Sequence, residues 1–95
     1  IYLTPVHPSV SAYKYDVDDY FAVDKTFGDL DDLKNLINEA HKRDILIVLD
    51  LVFNHSGYFN PLFQDVVKNG RKSKYYDWYF VDGDKPSYEK MNYNG

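Results

Sequence analysis

Ile45-Leu46-Ile47-Val48-Leu49-Asp50-Leu51-Val52-Phe53-Asn54-His55 is the stretch that decides what kind of molecule this is. From Ile45 to Leu49 the residues are apolar without a break, and Ile45, Ile47 and Val48 are β-branched. No alternation marks a wet face, so the run reads as a strand covered on both sides, as in a parallel sheet. Working backwards, Asp29 stands where an N-cap belongs, and Asp31 and Asp32 follow in the first turn, where acids complement the helix dipole. Leu30, Leu33, Leu36, Ile37 and Ala40 recur at helical spacing, and Lys42 and Arg43 close the last turn. Asp44 then occupies the place where glycine is commonest, and Asp tolerates the left-handed conformation better than most residues. Further back, residues 1–6 read as a strand ended by Pro5 and Pro8. Strand, crossover, helix and strand make a βαβ unit. One such unit cannot bury its own faces, so the fold class is α/β and the unit implies more strands and helices around it. A barrel and an open doubly wound sheet both satisfy that requirement. A chain seldom begins on a core strand, and residues 1–95 are expected to be a piece of a longer protein.

Composition narrows the functional classes. Eleven Lys and Arg stand against 15 Asp and Glu, a net charge of -4 with no basic block, which makes nucleic acid and anionic membranes poor partners. No apolar run approaches the ~18 residues that span a bilayer. With no cysteine, disulfides, thiolate metal sites and thiol nucleophiles are excluded. Aromatic residues make up 18% of the chain, with ten Tyr against six Phe. Rings with one polar end suit interfaces and sugar-binding clefts, and equally a thin, partly exposed core.

The chemistry is expected at the carboxyl end of the second strand, where α/β folds gather ligands and catalytic groups. Asp50, Asn54 and His55 arrive there together. A carboxylate interrupting an apolar run is costly unless paired, so an Arg or Lys partner for Asp50 is expected from elsewhere. A plain reading gives Asp50 a structural salt bridge and His55 a loop hydrogen bond. Residues 7–28 show no period and read as a long, ordered loop, a kind of connection that is more often functional than not. Beyond His55 the character changes. Asn60 and Pro61 open one short helix that Gly70 ends, and turn signals at Asp82-Gly83-Asp84, Lys85-Pro86 and Asn94-Gly95 surround Tyr75, Tyr76, Trp78, Tyr79 and Phe80. Other motifs fail on detail. A phosphotransferase nucleophile would have a second Asp where Val52 stands. Calcium loops starting at Asp16 or Asp82 meet Phe21 where Gly is needed and Tyr93 where Glu is needed.

Asp50 to His55 resembles the strand-end signature Asp-x-Val-x-Asn-His of the α-amylase family of glycoside hydrolases. Tyr13-Lys14-Tyr15-Asp16-Val17-Asp18-Asp19-Tyr20, followed by Phe27-Gly28, is similar to that family's Gly-Tyr-Asp-x-x-Asp-Tyr loop and its Phe-Gly. The resemblance covers residues 1 to about 80. Ser73-Lys74-Tyr75-Tyr76-Asp77-Trp78-Tyr79 also resembles an insertion of the cyclomaltodextrinase, neopullulanase and maltogenic-amylase branch. Lys14 replaces the family's usual Gly, as it does in that branch, and Asp44 replaces a Gly before the strand.

The resemblance implies a fragment of a (β/α)8 TIM barrel, running from its second strand to its third and then into the small domain inserted after the third. Residues 1–55 would belong to the barrel and 56–95 to the inserted domain; a whole barrel needs about 250 residues. It implies retaining hydrolysis of α-glucosidic bonds in cyclomaltodextrins, maltooligosaccharides, starch or pullulan. The nucleophile and acid/base lie on later strands, so no catalytic carboxylate falls within residues 1–95. Tyr15 matches the aromatic that stacks under the sugar beside the scissile bond. His55 matches the imidazole that binds the sugar's primary hydroxyl. Asp16 matches a contact to the terminal sugar in exo-acting relatives. Asp50 matches a carboxylate that braces an active-site Arg. Asn54 matches a residue that binds structural calcium in many members, with calcium use varying across the branch. Many members of that branch are cytoplasmic homodimers. The same scaffold also serves glucanotransferases, branching enzymes and non-catalytic binding relatives, and nothing in residues 1–95 separates these.

Overall fold

The computed structural model describes residues 1–86. Strand β1 (Tyr2–Leu3) pairs in parallel with strand β2 (Val48–Leu49), with Tyr2 opposite Val48 and Leu3 opposite Leu49. Helix α1 (Leu30–Lys42) is the crossover between them, and helix α2 (Pro61–Asn69) follows β2. Three single 3-10 turns, Lys25–Phe27, Gly70–Lys72 and Tyr76–Trp78, punctuate the rest. The α/β reading and the βαβ order hold.

The strands are shorter than the apolar runs suggest. A ladder needs partners, and among the described residues each strand has one neighbour. Flanking bonds from the Val48 amide to the Ile1 carbonyl and from the Asp50 amide to the Leu3 carbonyl extend the pairing by one step on each side. Pro5 contributes no amide donor beyond that point. At the other end, the Ile45 amide bonds back to the Ala40 carbonyl of α1, so Ile45 belongs to the helix exit rather than to the strand.

Helix α1 starts on a reciprocal cap. The Asp29 carboxylate accepts from the Asp32 amide, and the Asp32 carboxylate accepts from the Asp29 amide, both at 2.9 Å. It ends where Asp44 takes φ 55, the left-handed turn expected there. Helix α2 starts on Asn60, whose side-chain oxygen accepts from the Leu62 amide at 2.9 Å, with Pro61 at its first position. Gly70, at φ 57, ends it.

Among the described residues, Val17, Ala40, Val52 and Val66 are the buried apolar ones. An apolar cleft of about 370 Å³ lies between β1 and α1, lined by Leu3, Val6, Phe27, Leu33 and Leu36, away from the strand-end groups. No helix among the described residues is long and apolar enough to cross a membrane. The Asn94-Gly95 turn and Tyr93 lie outside the described residues, as does the rest of the expected inserted domain after residue 86.

Candidate functional site

The loop between β1 and α1 is ordered by its own polar side chains. The His7 ring Nδ1 lies 2.8 Å from the Ala22 carbonyl, and the Asp18 and Asp24 amides donate to the Pro8 and Val6 carbonyls. Asp16 Oδ1 accepts from the hydroxyls of Ser9 and Ser11. Lys14 reaches Asp24 at 2.9 Å, with both side chains largely covered. These contacts stretch the loop across the carboxyl end of β2.

Four of the sequence-derived site residues meet there. The Tyr15 hydroxyl donates to Asp50 Oδ2 at 2.8 Å. His55 Nε2 lies 2.9 Å from the Tyr15 carbonyl, and a carbonyl can only accept, so Nε2 carries the proton. That leaves His55 Nδ1 to accept from the Asn54 side-chain amide at 3.3 Å. Tyr15, Asp50, Asn54 and His55 therefore form one connected chain. Hydrogen bonding to the Asp50 carboxylate, with desolvation second, pushes both the Tyr15 and Tyr2 hydroxyls above the usual tyrosine range. Among the described residues, the groups on Asp50 are tyrosine hydroxyls, and no cation pairs with it.

Asp16 stands next to Tyr15 in sequence but turns to Ser9 and Ser11. Its Oδ2 is buried without a partner among the described residues, as is Asp18 Oδ1. Burial, with the Asp16 charge second, raises the Asp18 pKa, while the Phe59 amide pulls it the other way. Asn54 offers one amide oxygen, whereas calcium takes six to eight oxygen ligands. No cluster of three or more acids, histidines or cysteines able to hold a metal occurs among the described residues.

Two anchors of the site stand in motifs visible in the sequence, but no local pattern assigned them a role there. The Tyr20 hydroxyl sits 2.7 Å from the Val52 carbonyl and 2.8 Å from the His55 carbonyl, clamping the segment that carries Asn54 and His55. Tyr79, beyond α2, places its hydroxyl 3.2 Å from Ser56 Oγ and its ring edge-on to Phe63. The aromatic segment after α2 is thereby fastened beside His55. The Gly57 backbone amide and the Asn60 side-chain amide point the same way, toward the loop: both donate to the Val17 carbonyl.

What this arrangement can do is hold an aromatic ring, an imidazole and a carboxylate in fixed relation at a strand end. A family model described as "Alpha amylase, catalytic domain" matches residues 1–95. Neopullulanase 2 of Thermoactinomyces vulgaris is 48% identical over 82 residues, covering 86% of this chain and 14% of the relative. The intracellular maltogenic amylase of Bacillus subtilis is 48% identical over 81 residues, covering 85% and 14%. A solved structure titled cyclomaltodextrinase aligns with a TM-score of 0.79 at 43% identity, covering 98% of this chain and 17% of that one. The chain thus spans about one seventh of the length of these curated relatives.

Proposed function

We propose that this chain, which belongs to the alpha-amylase catalytic-domain family, supplies the sugar-positioning wall of an α-glucan hydrolase. The observation that carries the reading is the convergence of Tyr15 and His55, joined through the Tyr15 carbonyl at 2.9 Å, beside Asp50. In the full-length protein, residues 1–55 form part of a (β/α)8 barrel, with β1 and β2 as its second and third strands, and residues 56–95 begin an inserted small domain. The substrates are α-glucans: cyclomaltodextrins, maltooligosaccharides, starch or pullulan. Hydrolysis proceeds with retention, by a carboxylate nucleophile and a carboxylic acid/base about 5 Å apart, both supplied from outside these 95 residues.

Within this chain the work is orientation. The Tyr15 ring offers its electron-rich face to the apolar face of a glucose ring and steadies positive charge as the oxocarbenium develops. Its hydroxyl stays on Asp50, which fixes the ring plane. Protonated Nε2 of His55 is a donor at the solvent-facing edge, and a sugar hydroxyl that takes the place of the Tyr15 carbonyl receives that bond. Asp50, while holding the Tyr15 hydroxyl, also braces a cation from a later strand, and Asp16 meets a further sugar once its carboxylate, with Oδ2 now buried, turns outward. A calcium ion would take Asn54 as one ligand among donors from outside residues 1–86. A cytoplasmic homodimer fits this reading.

His55→Ala in the full-length protein tests it. Turnover of maltotriose should fall about 100-fold or more with the melting temperature nearly unchanged, because a donor aimed at the reacting sugar is lost. Unaltered kcat and KM would remove His55 from the site. Tyr15→Ala should weaken both binding and turnover, whereas Tyr13→Ala, at a side chain that is 81% exposed, should change neither strongly.

A further inference from the structure

We propose that Lys14 is a positioning residue that holds Tyr15 in place through its ion pair with Asp24, an inference that rests on the role given to Tyr15 above. Lysine is almost never this deeply covered unless it is paired. Lys14 is 9% exposed, and its Nζ lies 2.9 Å from Asp24 Oδ2. The backbone at Lys14 is left-handed, φ 62, a region that long side chains seldom enter and that glycine enters freely. A glycine would make the same turn and leave Tyr15 on a loose hinge. Lysine makes the turn and also ties it to the framework.

The tie ends on a fixed point. Asp24 Oδ1 accepts from the Thr26 amide at 2.8 Å and from the Thr26 hydroxyl, and the Asp24 amide donates at 2.8 Å to the Val6 carbonyl, just beyond β1. Lys14 is further held by its amide on Ser11 Oγ at 3.0 Å and by its ammonium over the Phe27 ring at 5.6 Å. Tyr15, one residue on, has its other two anchors inside the site, the hydroxyl on Asp50 and the carbonyl on His55. The bond to His55 must be free to exchange when a sugar arrives. The Lys14–Asp24 pair lies outside the site and, with the hydroxyl on Asp50, keeps Tyr15 registered while it does.

A double-mutant cycle in the full-length enzyme tests this, with kcat and KM measured on maltotriose for Lys14→Met, Tyr15→Ala and the two together. Lys14→Met should lower kcat/KM about 10- to 100-fold, the scale of a misplaced binding group. In the Tyr15→Ala background it should cost nothing further, because there is no ring left to misplace. Lys14→Arg, which can still pair, should return kcat/KM to within about threefold of the parent. Since Lys14→Met leaves Asp24 unpaired, Lys14→Met/Asp24→Asn gives the same reading without a stranded charge. Equal losses with and without Tyr15, or unfolding of both Lys14 variants, would show a purely structural pair and overturn the inference. If Tyr15→Ala alone leaves kcat/KM unchanged, the assignment of Tyr15 falls and this inference falls with it; if Tyr15→Ala is damaging while Lys14→Met is silent, only this inference falls.

Discussion

Asp24 gathers three donors on one carboxylate: the Thr26 hydroxyl, the Thr26 amide and the Lys14 ammonium. In that order they hold its carboxyl far below the usual carboxylate range. A depressed folded pKa means that the unfolded chain binds the proton more readily. The stability Asp24 contributes is therefore complete above an unfolded value of about 4 and drains as pH falls toward its folded pKa. Asp24→Asn should be less stable than the parent at pH 7, and the gap between their urea midpoints should narrow steadily below pH 4. A gap that does not change with pH would mean that the charge is not what matters. Gly57 makes a different argument at the same scale. A Cβ there would meet the Asp16 carbonyl oxygen at 2.5 Å and Asp18 Oδ1 closer still. The loop and the segment after His55 touch through a glycine because no side chain fits between them. Gly57→Ala should cost about 1–3 kcal/mol and lower the melting temperature of the full-length protein. An unshifted melt would show that the two segments separate easily.

Helix α1 is the element with the clearest local instructions. The Asp29–Asp32 capping box satisfies two amide donors at an exposed helix start, so Asp29→Ala should destabilise by about 1 kcal/mol, read as a lower urea midpoint with an unchanged slope. Features of this kind were legible in the sequence because they are settled within three or four residues: the cap at Asp29, the stop at Asp44, and the Asn60-Pro61 start and Gly70 stop of α2. Strand extent was not legible. Val6 and Ile45 carry strand-like side chains, but ladder bonds come from neighbours that no local pattern reports. The site was half legible. Strand-end residues and the tyrosine loop could be named from their order, and Tyr15, Asp50, Asn54 and His55 do form one hydrogen-bonded chain. That the Tyr15 hydroxyl would choose Asp50, and the Tyr20 hydroxyl the carbonyls of Val52 and His55, depends on contacts 32 to 35 residues apart. Lys14 read only as a substitution for glycine. Its meaning required the position of Asp24, ten residues on in a stretch with no period.

At the scale of the molecule, the shape argues for surfaces that expect company. The radius of gyration is 16.1 Å, against about 12.4 Å for a compact domain of this length. The accessible surface is 7426 Å², where a folded monomer of 11.2 kDa exposes about 5,700 Å². The excess is apolar in the places that matter. Tyr2 and Val48 on the sheet, Leu30 and Leu36 on α1, and Leu46 before β2 are all exposed. An isolated parallel pair of two-residue strands lacks the cover that parallel sheets require. Expressed alone, the 95 residues should hydrolyse no maltooligosaccharide and should bind a hydrophobic dye at ambient temperature. Calorimetry should show no cooperative melt, because the four buried apolar side chains among the described residues cannot offset the chain entropy of so many ordered residues. A sharp transition in that experiment would mean that the βαβ unit carries its own core. The exposed faces of β1, β2 and α1 would then need a different explanation from the missing barrel neighbours proposed for them.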